Sequence, residues 1–416
     1  MEKFVIGGGH RLCGSTRIKG GKNAVLPILA AAILTDEKVT IHDCPDISDI
    51  RNMLKILNSL GARTTFENSV ITVSGGISVG EIPTEAAKEI RSSVFLLGPI
   101  LARIKKAKVA YPGGCDIGLR PIDIHLKGFR ELGIEVTEQN GYIICDASGI
   151  RCADIQSDKV SVGATENLMM AAVFTKGSTF IRNAAKEPEI EDLASFLVKM
   201  GAKIKGAGSD VIEIRGVDCL HGCDYTPIPD RIVAGTLLAA TAICGGDVLL
   251  ENVVYEHIFS LVSKLSKSSC LIKPVCDSIY ISFKSRVRAF DIVTHPYPAF
   301  PTDMQSQFMA VAATAAGTSI ITETVFETRF KQAGQLIKMG ADITLRGDTA
   351  IVRGVGRLSG AEVTACELRG GAALVLAGLG AEGVTTVDGI RHIDRGYESF
   401  EKTLTQLQAD ITRICL

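Results

Sequence analysis

The stretch from Pro112 to Pro121, PGGCDIGLRP, combines a thiol, a carboxylate and a guanidinium group in one short segment. Its glycines and prolines allow or fix backbone angles that favour a shaped loop, and shaped loops often carry chemistry. The positive charge of Arg120 favours the thiolate form of Cys115, while Asp116 opposes that shift. We therefore interpret Cys115 as a reactive thiol, with an inert, packed thiol as the alternative.

Charged side chains recur beside predicted helices and form a second set of candidates. Lys22, followed by Asn23, opens a helix, where backbone amides and the helix dipole favour an anion; a solvated lysine is the alternative. Asp303 in AFPTDMQ precedes another helix and is either its N-cap or a general base. Arg91 and Arg120 can bind phosphate or carboxylate oxygens, or form ordinary surface ion pairs.

The last part of the chain adds two more segments with charged residues. HIDRGYE contains Arg395, and ACELRGG contains Glu367 and Arg369. Each of these residues indicates little by itself, because isolated charged side chains are common on protein surfaces. A function has to be inferred from the whole set.

Three segments are similar to known cofactor-binding or metal-binding motifs, but none of them meets the requirements of its motif. GLGAEG at residues 378–383 follows an apolar helix and precedes a strand, the reverse of the dinucleotide-binding order, so it is predicted to end a helix. GGKNA around Lys22 lacks the first glycine and the hydroxyl residue of a nucleotide-triphosphate loop. Cys219 and Cys223 flank His221 without a second ligand pair at zinc spacing. Neither a metal nor a cofactor is predicted.

Composition narrows the class of protein. A hydrophobic content of 46% indicates a globular chain, and a net charge of -1 provides no field that would hold a nucleic acid. No apolar run approaches the length of a membrane span, and the start lacks the apolar core of a signal peptide. Twelve cysteines without such a signal are typical of reduced thiols. We expect a cytoplasmic protein without membrane contact and with no evident obligate protein partner.

A repeated unit supplies the elements that must position these loops. Residues 57–75, 129–149, 197–216 and 336–354 share the order helix end, glycine, strand, turn, strand, and degraded copies follow residue 262 and reach the C-terminus. Between these copies lie Ala/Leu/Gly-rich helices, each followed by a short β-branched strand. Such helices are apolar on nearly every side and are predicted to be buried all round.

Counting these units gives the fold class. Their spacing is a multiple of roughly 70 residues, which indicates six units and an α/β fold with three units in each of two domains. The predicted boundary lies near YTPIPDRI, where Pro227 and Pro229 interrupt regular structure.

A series of motifs occurs together and in order along the chain: GGKNAVLP, PGGCDIGLRPIDIH, KVSVGAT, AAKEPEI, PDRI, HPYPAFPTDMQSQF, TETVFETRF and HIDRGYE. With these motifs the sequence resembles the UDP-N-acetylglucosamine 1-carboxyvinyltransferase family of enolpyruvyl transferases over essentially its whole length. The resemblance implies a two-domain inside-out α/β barrel. The first domain would be residues 21–229, the second would combine 1–20 with 230–416, and the active site would lie in the cleft between them.

The resemblance also implies a reaction. Enolpyruvate passes from phosphoenolpyruvate to the 3-hydroxyl of UDP-N-acetylglucosamine by addition and elimination, phosphate is released, and peptidoglycan precursor synthesis begins. By resemblance, Lys22, Arg120 and Arg395 hold phosphoenolpyruvate, whose buried charges need fixed cations. Asp303 matches the base for the sugar hydroxyl, and Cys115 matches the proton donor that can also form a phospholactoyl adduct and is trapped by the epoxide fosfomycin.

Further positions match the family's contacts with the sugar nucleotide: Asn23, Arg91, Arg120, Pro121, Ile122, Asp123, Ile124, Lys159, Val160, Ser161, Val162, Asp303 and Val325. One departure concerns Glu367, which matches a catalytic aspartate. The family usually has TDLRAS where this chain has CELRGG, so the carboxylate is one methylene longer and glycines stand at 370 and 371. A displaced carboxylate would slow turnover.

Two other functions compete with this interpretation. A 5-enolpyruvylshikimate-3-phosphate synthase shares the fold and the phosphoenolpyruvate chemistry, but the thiol loop and KVSVGAT argue against it. A weakly catalytic paralogue that binds the sugar nucleotide and regulates a partner is motivated by Glu367. A purely structural repeat protein would have no need for this set of cations, carboxylate and thiol.

Overall fold

A computed structural model describes residues 2–89, 91–111, 122–268 and 270–415. Contacts divide these residues into two compact units. The first unit comprises residues 20–111 and 122–228, and the second comprises residues 2–19 and 229–415. The predicted thiol loop at 112–121 lies outside the described residues.

Helices within the described residues alternate between apolar and amphipathic types. In chain order they are α1 (Lys22–Ala32), α2 (Ser48–Ser59), α3 (Thr84–Glu89), α4 (Leu97–Ile104), α5 (Asp123–Glu131), α6 (Val162–Ala172), α7 (Pro188–Lys199), α8 (Arg231–Cys244), α9 (Tyr255–Leu265), α10 (Gln305–Thr314), α11 (Lys331–Lys338), α12 (Leu368–Leu379) and α13 (Phe400–Gln406). Short 3-10 turns occur at Arg91–Leu96, Thr302–Met304 and Ile390–His392.

The strands are short and fall between the helices. They are β1 (Glu2–Gly7), β2 (Leu12–Arg17), β3 (Val39–Ile41), β4 (Arg63–Glu67), β5 (Val70–Ser74), β6 (Lys106–Ala110), β7 (Glu135–Gln139), β8 (Tyr142–Asp146), β9 (Asp154–Gln156), β10 (Ser178–Arg182), β11 (Lys203–Lys205), β12 (Val211–Arg215), β13 (Asp224–Tyr225), β14 (Gly246–Glu251), β15 (Cys270–Val275), β16 (Ser278–Phe283), β17 (Ile292–Val293), β18 (Thr318–Thr322), β19 (Asp342–Arg346), β20 (Thr349–Arg353), β21 (Glu362–Thr364), β22 (Val384–Asp388) and β23 (Asp410–Cys415).

These strands form six separate sheets in the described residues, which confirms the six predicted units. The first unit contains the sheets β13-β3-β5-β4, β6-β8-β7 and β11-β12-β10-β9. The second contains β15-β16-β14-β2, β17-β18-β20-β19 and β21-β22-β1-β23. Each four-stranded sheet has one parallel pair at an edge and antiparallel pairs elsewhere.

The predicted hairpins form where the glycines end the preceding helices. Gly61, Gly133, Gly201 and Gly340 all have positive φ values between 80° and 112°, a conformation that glycine adopts without steric cost. In the last unit Gln408 takes this position with φ 69°. That unit has a single C-terminal strand, β23, and the N-terminal strand β1 completes its sheet by pairing antiparallel with both β22 and β23.

The apolar helices are buried on all sides, as predicted. Every residue of α12 and every residue of α10 before Thr314 is buried. In the second unit α8, α10 and α12 contact one another, and in the first unit α4 packs on α6. GLGAEG ends α12 before β22 and is the helix stop that its position in the sequence predicts. Among the described residues, none of the helices has both the length and the apolar character that crossing a membrane requires.

Candidate active site

Lys22 is the first residue of helix α1 and lies in the first unit. Its N-cap is Gly21, whose amide donates to the carbonyl oxygen of Ile228 and which has no side chain to cap the helix. The first amide groups of a helix lack intrahelical acceptors, so this end of α1 suits an anion. Asn23 follows on the same turn and is half-buried.

The alternative that Lys22 is a solvated surface lysine is wrong. Its side chain is 11% exposed, and its Nζ lies 2.6 Å from Oδ2 of Asp49 on α2, whose side chain is 4% exposed. A charge removed from water in this way needs a partner, because an isolated buried charge is strongly unfavourable. The sequence analysis missed Asp49. An acidic residue in the first turn of an amphipathic helix was its only signal.

A groove of about 550 Å³ in the first unit brings together several predicted sugar-nucleotide residues. Ile122, Asp123 and Ile124, at the start of α5, line one side, and Lys159 lies in the segment that lines the other. Its volume is in the range of small-molecule sites. Val160, Ser161 and Val162 are not among the described residues that line this groove.

Ser161 has a structural role at the start of α6. It is the N-cap residue, and its hydroxyl oxygen accepts a hydrogen bond of 3.3 Å from the amide of Ala164. Val160 and Val162, on either side, are half-buried. The hydroxyl of Ser161 therefore holds this segment at the start of α6, and the contact of the segment with a sugar nucleotide stays a prediction.

Asn167, a buried residue of α6, forms hydrogen bonds with its neighbours, including His125 on α5, a helix that lines the groove. Asn167 donates from Nδ2 to the carbonyl oxygen of Val94 at 2.7 Å and contacts His125 Nδ1 at 3.0 Å, and its Oδ1 accepts from the amide of Gly98 at 2.7 Å. With Nδ2 as the donor, Nδ1 of His125 is the acceptor and Nε2 carries the proton. This arrangement orients His125, the neighbour of Ile124.

Four predicted ligand contacts cannot be placed. Cys115, Arg120 and Pro121 lie outside the described residues, and of Arg91 only the backbone, in the 3-10 turn that precedes α4, is described. Their functional roles remain expectations from the sequence.

Asp303 is the centre of a charged cluster in the second unit. It lies in the 3-10 turn Thr302–Met304, and Met304 is the N-cap residue of α10, so the interpretation of Asp303 as a helix cap is wrong. Its Oδ1 accepts from Arg329 at 2.8 Å and its Oδ2 accepts from Arg369 at 3.0 Å. The two arginine side chains are 2% and 4% exposed, whereas that of Asp303 is 25% exposed. Two buried cations thus orient a carboxylate that solvent or a ligand can still reach.

A second buried carboxylate supports this cluster. Glu323 accepts from the hydroxyls of Thr294 and Thr302, both at 2.9 Å, and from the amide of Val325 at 2.9 Å. The Thr302 hydroxyl in turn accepts from Arg329 at 3.1 Å. Glu323 therefore ties the turn that carries Asp303 to the loop that carries Val325, whose side chain is exposed.

Arg369 is held by charge and by an aromatic ring. Burial alone would lower its pKa, but Asp303, Tyr397 and Asp230 outweigh burial and raise it. Its guanidinium carbon lies 5.6 Å from the centroid of the Tyr397 ring. Burial raises the pKa of Tyr397, whose hydroxyl forms hydrogen bonds with Thr236 and Gln307. Arg369 therefore acts as a fixed cation, as arginine side chains do in proteins.

Glu367 is the N-cap residue of α12. Its carboxylate accepts from the amides of Arg369 and Gly370, and Glu367 as a whole is 4% exposed. Arg395 lies in the turn after Ile390–His392 and is half-buried. Burial and the charges of Arg391 and Arg395 lower the pKa of His392, and Glu367 opposes them. The structure thus places the charges of Arg395 and Glu367 around one histidine.

The remaining cysteines offer no metal site. No group of metal-binding side chains occurs among the described residues, which include Cys219, His221 and Cys223. All cysteines that the structure describes are free thiols.

Sequence reasoning missed several partners of the predicted site residues. Arg329 and Glu323 belong to the motif TETVFETRF, from which only Val325 was selected. A glutamate and an arginine beside an apolar strand were a usable signal, because such charges are buried only when paired. Arg369 was noticed but not linked to Asp303.

Comparisons with known proteins match the chain over its full length. The family model of EPSP synthase (3-phosphoshikimate 1-carboxyvinyltransferase) matches residues 6–404. UDP-N-acetylglucosamine 1-carboxyvinyltransferase 2 of Caldanaerobacter subterraneus subsp. tengcongensis is 51% identical over 416 residues, which is 100% of both chains. UDP-N-acetylglucosamine 1-carboxyvinyltransferase 1 of Symbiobacterium thermophilum is 51% identical and covers 99% of this chain and 95% of its own.

Solved structures show the same fold at low identity. The enolpyruvyl transferase NikO from Streptomyces tendae superposes with a TM-score of 0.87 at 23% identity, over 99% of this chain and 98% of its own. EPSP synthase from Acinetobacter baumannii has a TM-score of 0.76 at 18% identity over the whole of both chains. The chain belongs to the EPSP synthase family of enolpyruvyl transferases and, within it, to the UDP-N-acetylglucosamine 1-carboxyvinyltransferases.

Proposed function

We propose that this protein transfers enolpyruvate from phosphoenolpyruvate to the 3-hydroxyl of UDP-N-acetylglucosamine and releases phosphate. The observation that carries the proposal is the Asp303 cluster. An accessible carboxylate held by Arg329 and Arg369 at 2.8 and 3.0 Å is suited to accept a proton from a bound hydroxyl in a fixed direction. The full-length relatives at 51% identity support the same reaction.

The chemistry divides into two steps. In the first, the sugar oxygen bonds to C2 of phosphoenolpyruvate, the hydroxyl proton passes to Asp303, and C3 gains a proton from Cys115. In the second, the Cys115 thiolate takes a proton back from C3 and the bond between C2 and the phosphate oxygen breaks. The proton held by Asp303 passes to the departing phosphate or to solvent, so the products are phosphate and the enolpyruvyl ether and both residues return to their starting states. Lys22, Arg120 and Arg395 hold the phosphate and carboxylate groups, because fixed cations stabilise buried negative charge.

The groove in the first unit fits the other half of the proposal. Asp123, Ile124 and Lys159 combine a carboxylate, an apolar surface and a cation around about 550 Å³. A nucleotide base and sugar need apolar contact and hydrogen bonds, and a diphosphate needs cations. We assign part of the sugar nucleotide to this groove. The contacts of Ser161, Val162 and Val325 with the sugar nucleotide stay predictions from the sequence.

The competing synthase has weaker support. The EPSP synthase from Acinetobacter baumannii is only 18% identical to this chain, which supports the fold and not the substrate. The free thiols of the described cysteines are consistent with a reducing compartment, so we place the reaction in the cytoplasm, at the start of peptidoglycan precursor synthesis. The proposed reaction uses two small molecules as substrates.

Phosphate release tests the substrate pair. We expect release from phosphoenolpyruvate only when UDP-N-acetylglucosamine is present, because the sugar hydroxyl is the group that adds to C2. Parallel reactions contain shikimate 3-phosphate or no acceptor, and free phosphate is measured continuously. Release with shikimate 3-phosphate, or equal release without any acceptor, would contradict the proposal.

An epoxide tests the predicted thiol. Fosfomycin with UDP-N-acetylglucosamine is expected to raise the intact mass by one whole inhibitor molecule, because a thiolate opens the epoxide and its oxygen remains as a hydroxyl. Peptide mapping should place the adduct on Cys115, and Cys115→Ala should stay unmodified. The exposed thiols of Cys219, Cys276 and Cys366 are internal controls. An adduct on one of these, with Cys115 unmodified, would refute the assignment.

A further inference from the structure

The N-cap residue of α12 is Glu367, whose side chain is longer than those of the usual N-cap residues. Glu367 has an extended backbone, with φ -155° and ψ 169°, and its Oε2 accepts from the amide of Arg369 at 2.8 Å while its Oε1 accepts from the amide of Gly370. Shorter side chains such as aspartate and serine are the usual caps, because they reach these amides without folding back. The glutamate carboxylate therefore occupies space beside the helix that a shorter cap would leave empty.

Gly370 provides that space. A Cβ atom at this position would lie 2.6 Å from Glu367 Oε1 and 3.2 Å from the Cβ of Gln332. The first distance is shorter than a van der Waals contact permits, so with alanine the tip of the flexible Glu367 side chain would have to move from its position against the amide of Gly370. Gly370 has no positive φ, and its requirement is one of space alone.

The cap acts on the charged cluster through Arg369. Its backbone amide donates to Glu367 Oε2, and its guanidinium donates to Asp303 Oδ2 at 3.0 Å. With 4% of its side chain exposed and a neighbouring aromatic ring, Arg369 has little freedom to compensate for a moved backbone. A shift of the first turn of α12 therefore shifts the cation that orients Asp303.

We propose that Glu367 and Gly370 form a compensated pair that positions Arg369 against Asp303. The glutamate caps α12, and glycine at 370 leaves room for its longer carboxylate in this position. The sequence analysis treated Glu367 as a catalytic group and as a possible source of weak activity. Because two backbone amides bind the carboxylate of Glu367, we assign Glu367 as a positioning residue. Gly370 provides the space that the longer side chain of the glutamate requires. The inference rests on the proposed function.

A double-mutant cycle tests the pair. Gly370→Ala in the parent chain is expected to lower kcat by about 10- to 100-fold, since a displacement near 1 Å can cost that much, with KM changed less. Glu367→Asp should stay within about threefold of the parent, because aspartate is an effective cap. In the Glu367→Asp background, Gly370→Ala should again stay within about threefold, and the melting temperature should rise because alanine favours the helix.

A matched control is available on α11. Gly334 is also a helical glycine, and no atom lies within 4 Å of an added Cβ, so Gly334→Ala should leave kcat unchanged. Equal losses from Gly370→Ala in both backgrounds would overturn the proposal. Glu367→Gln separates positioning from proton transfer, because an amide oxygen can still accept from a backbone amide. Loss of one limb of the kcat pH profile in that variant would also overturn it.

Melting temperatures keep this test independent of the proposed reaction. If the parent chain releases no phosphate, the proposed function fails, but thermal unfolding still tests the pair. Gly370→Ala is expected to lower the melting temperature in the parent, where it disturbs the cap, and to raise it in the Glu367→Asp background. Coupled stabilities would then support the pair without the reaction. Additive stabilities would refute it whatever the substrate.

Discussion

Asp303→Asn is expected to lower kcat by about 10²- to 10⁴-fold, the range that a positioned general base contributes. The amide keeps the shape of the side chain but cannot accept the proton of the sugar hydroxyl. The asparagine side chain also lacks the negative charge that pairs with Arg329 and Arg369, so it is held less firmly in the orientation that the reaction requires. Steady-state phosphate release measures the effect, and calorimetric binding of UDP-N-acetylglucosamine shows whether the ground-state complex survives.

The same variant should be less stable. Removing one partner of a buried ion pair leaves an uncompensated charge and typically costs about 3–5 kcal/mol. Because 25% of the Asp303 side chain is exposed, we expect the lower end of this range, about 3 kcal/mol in the free energy of unfolding. Assays are therefore run well below the unfolding midpoint of the variant.

An exposed aspartate in the same unit is the control. Asp342 pairs with Arg353 at 3.1 Å, but the two side chains are 51% and 53% exposed, so Asp342→Asn should change the stability by less than about 1 kcal/mol and leave kcat unchanged. A folded Asp303→Asn protein that keeps kcat within threefold of the parent would remove Asp303 from the chemistry. The cluster would then be a structural ion pair only.

The fold was predictable because its signals are local. A glycine after an amphipathic helix, then two short alternating strands, recurs often enough that the unit count follows without any knowledge of tertiary contacts. The apolar helices α8, α10 and α12 were predictable for a related reason, since a helix without a polar face has to be covered by its neighbours.

The last unit shows where this reasoning ends. Its C-terminal half contains a single strand, and the strand that completes the sheet is β1, nearly the whole chain away, with Phe4 opposite Arg413. Gln408 also replaces the glycine that marks the other units, although its φ of 69° shows that the backbone conformation is unchanged. In the last unit the sequence differs from that of the other units, although the backbone keeps the same conformation.

The sequence offered candidate site residues but not the contacts between them. Asp303 lies 26 residues from Arg329 and 66 from Arg369, and nothing in the sequence between them specifies that these side chains meet. A local rule offered a helix cap as one of two interpretations of Asp303, because an aspartate just before a helix usually has that role. The ion pairs determine the position of Asp303. Leaving two buried guanidinium groups without an anion costs more free energy than leaving one helix end without a side-chain acceptor.

The ion pair of Lys22 with Asp49 predicts a large effect on stability. Asp49→Asn should lower the free energy of unfolding by about 3–5 kcal/mol, because it leaves the ammonium group of Lys22 buried without its carboxylate partner. Urea unfolding followed by circular dichroism gives the value. The adjacent pair of Asp46 with Arg51 is the control, since those side chains are 42% and 58% exposed and Asp46→Asn should cost less than about 1 kcal/mol.

Activity and stability should separate when both members of the buried pair are replaced. Replacing a buried ion pair with apolar side chains of similar volume is often close to neutral, so Lys22→Met with Asp49→Leu should recover most of the stability lost in Asp49→Asn. It should not recover phosphate release, because the cation proposed to hold phosphoenolpyruvate is gone. Full activity in the stable double variant would show that Lys22 is buried only to balance Asp49, and the ligand's charge would then have to be met by Arg120 and Arg395.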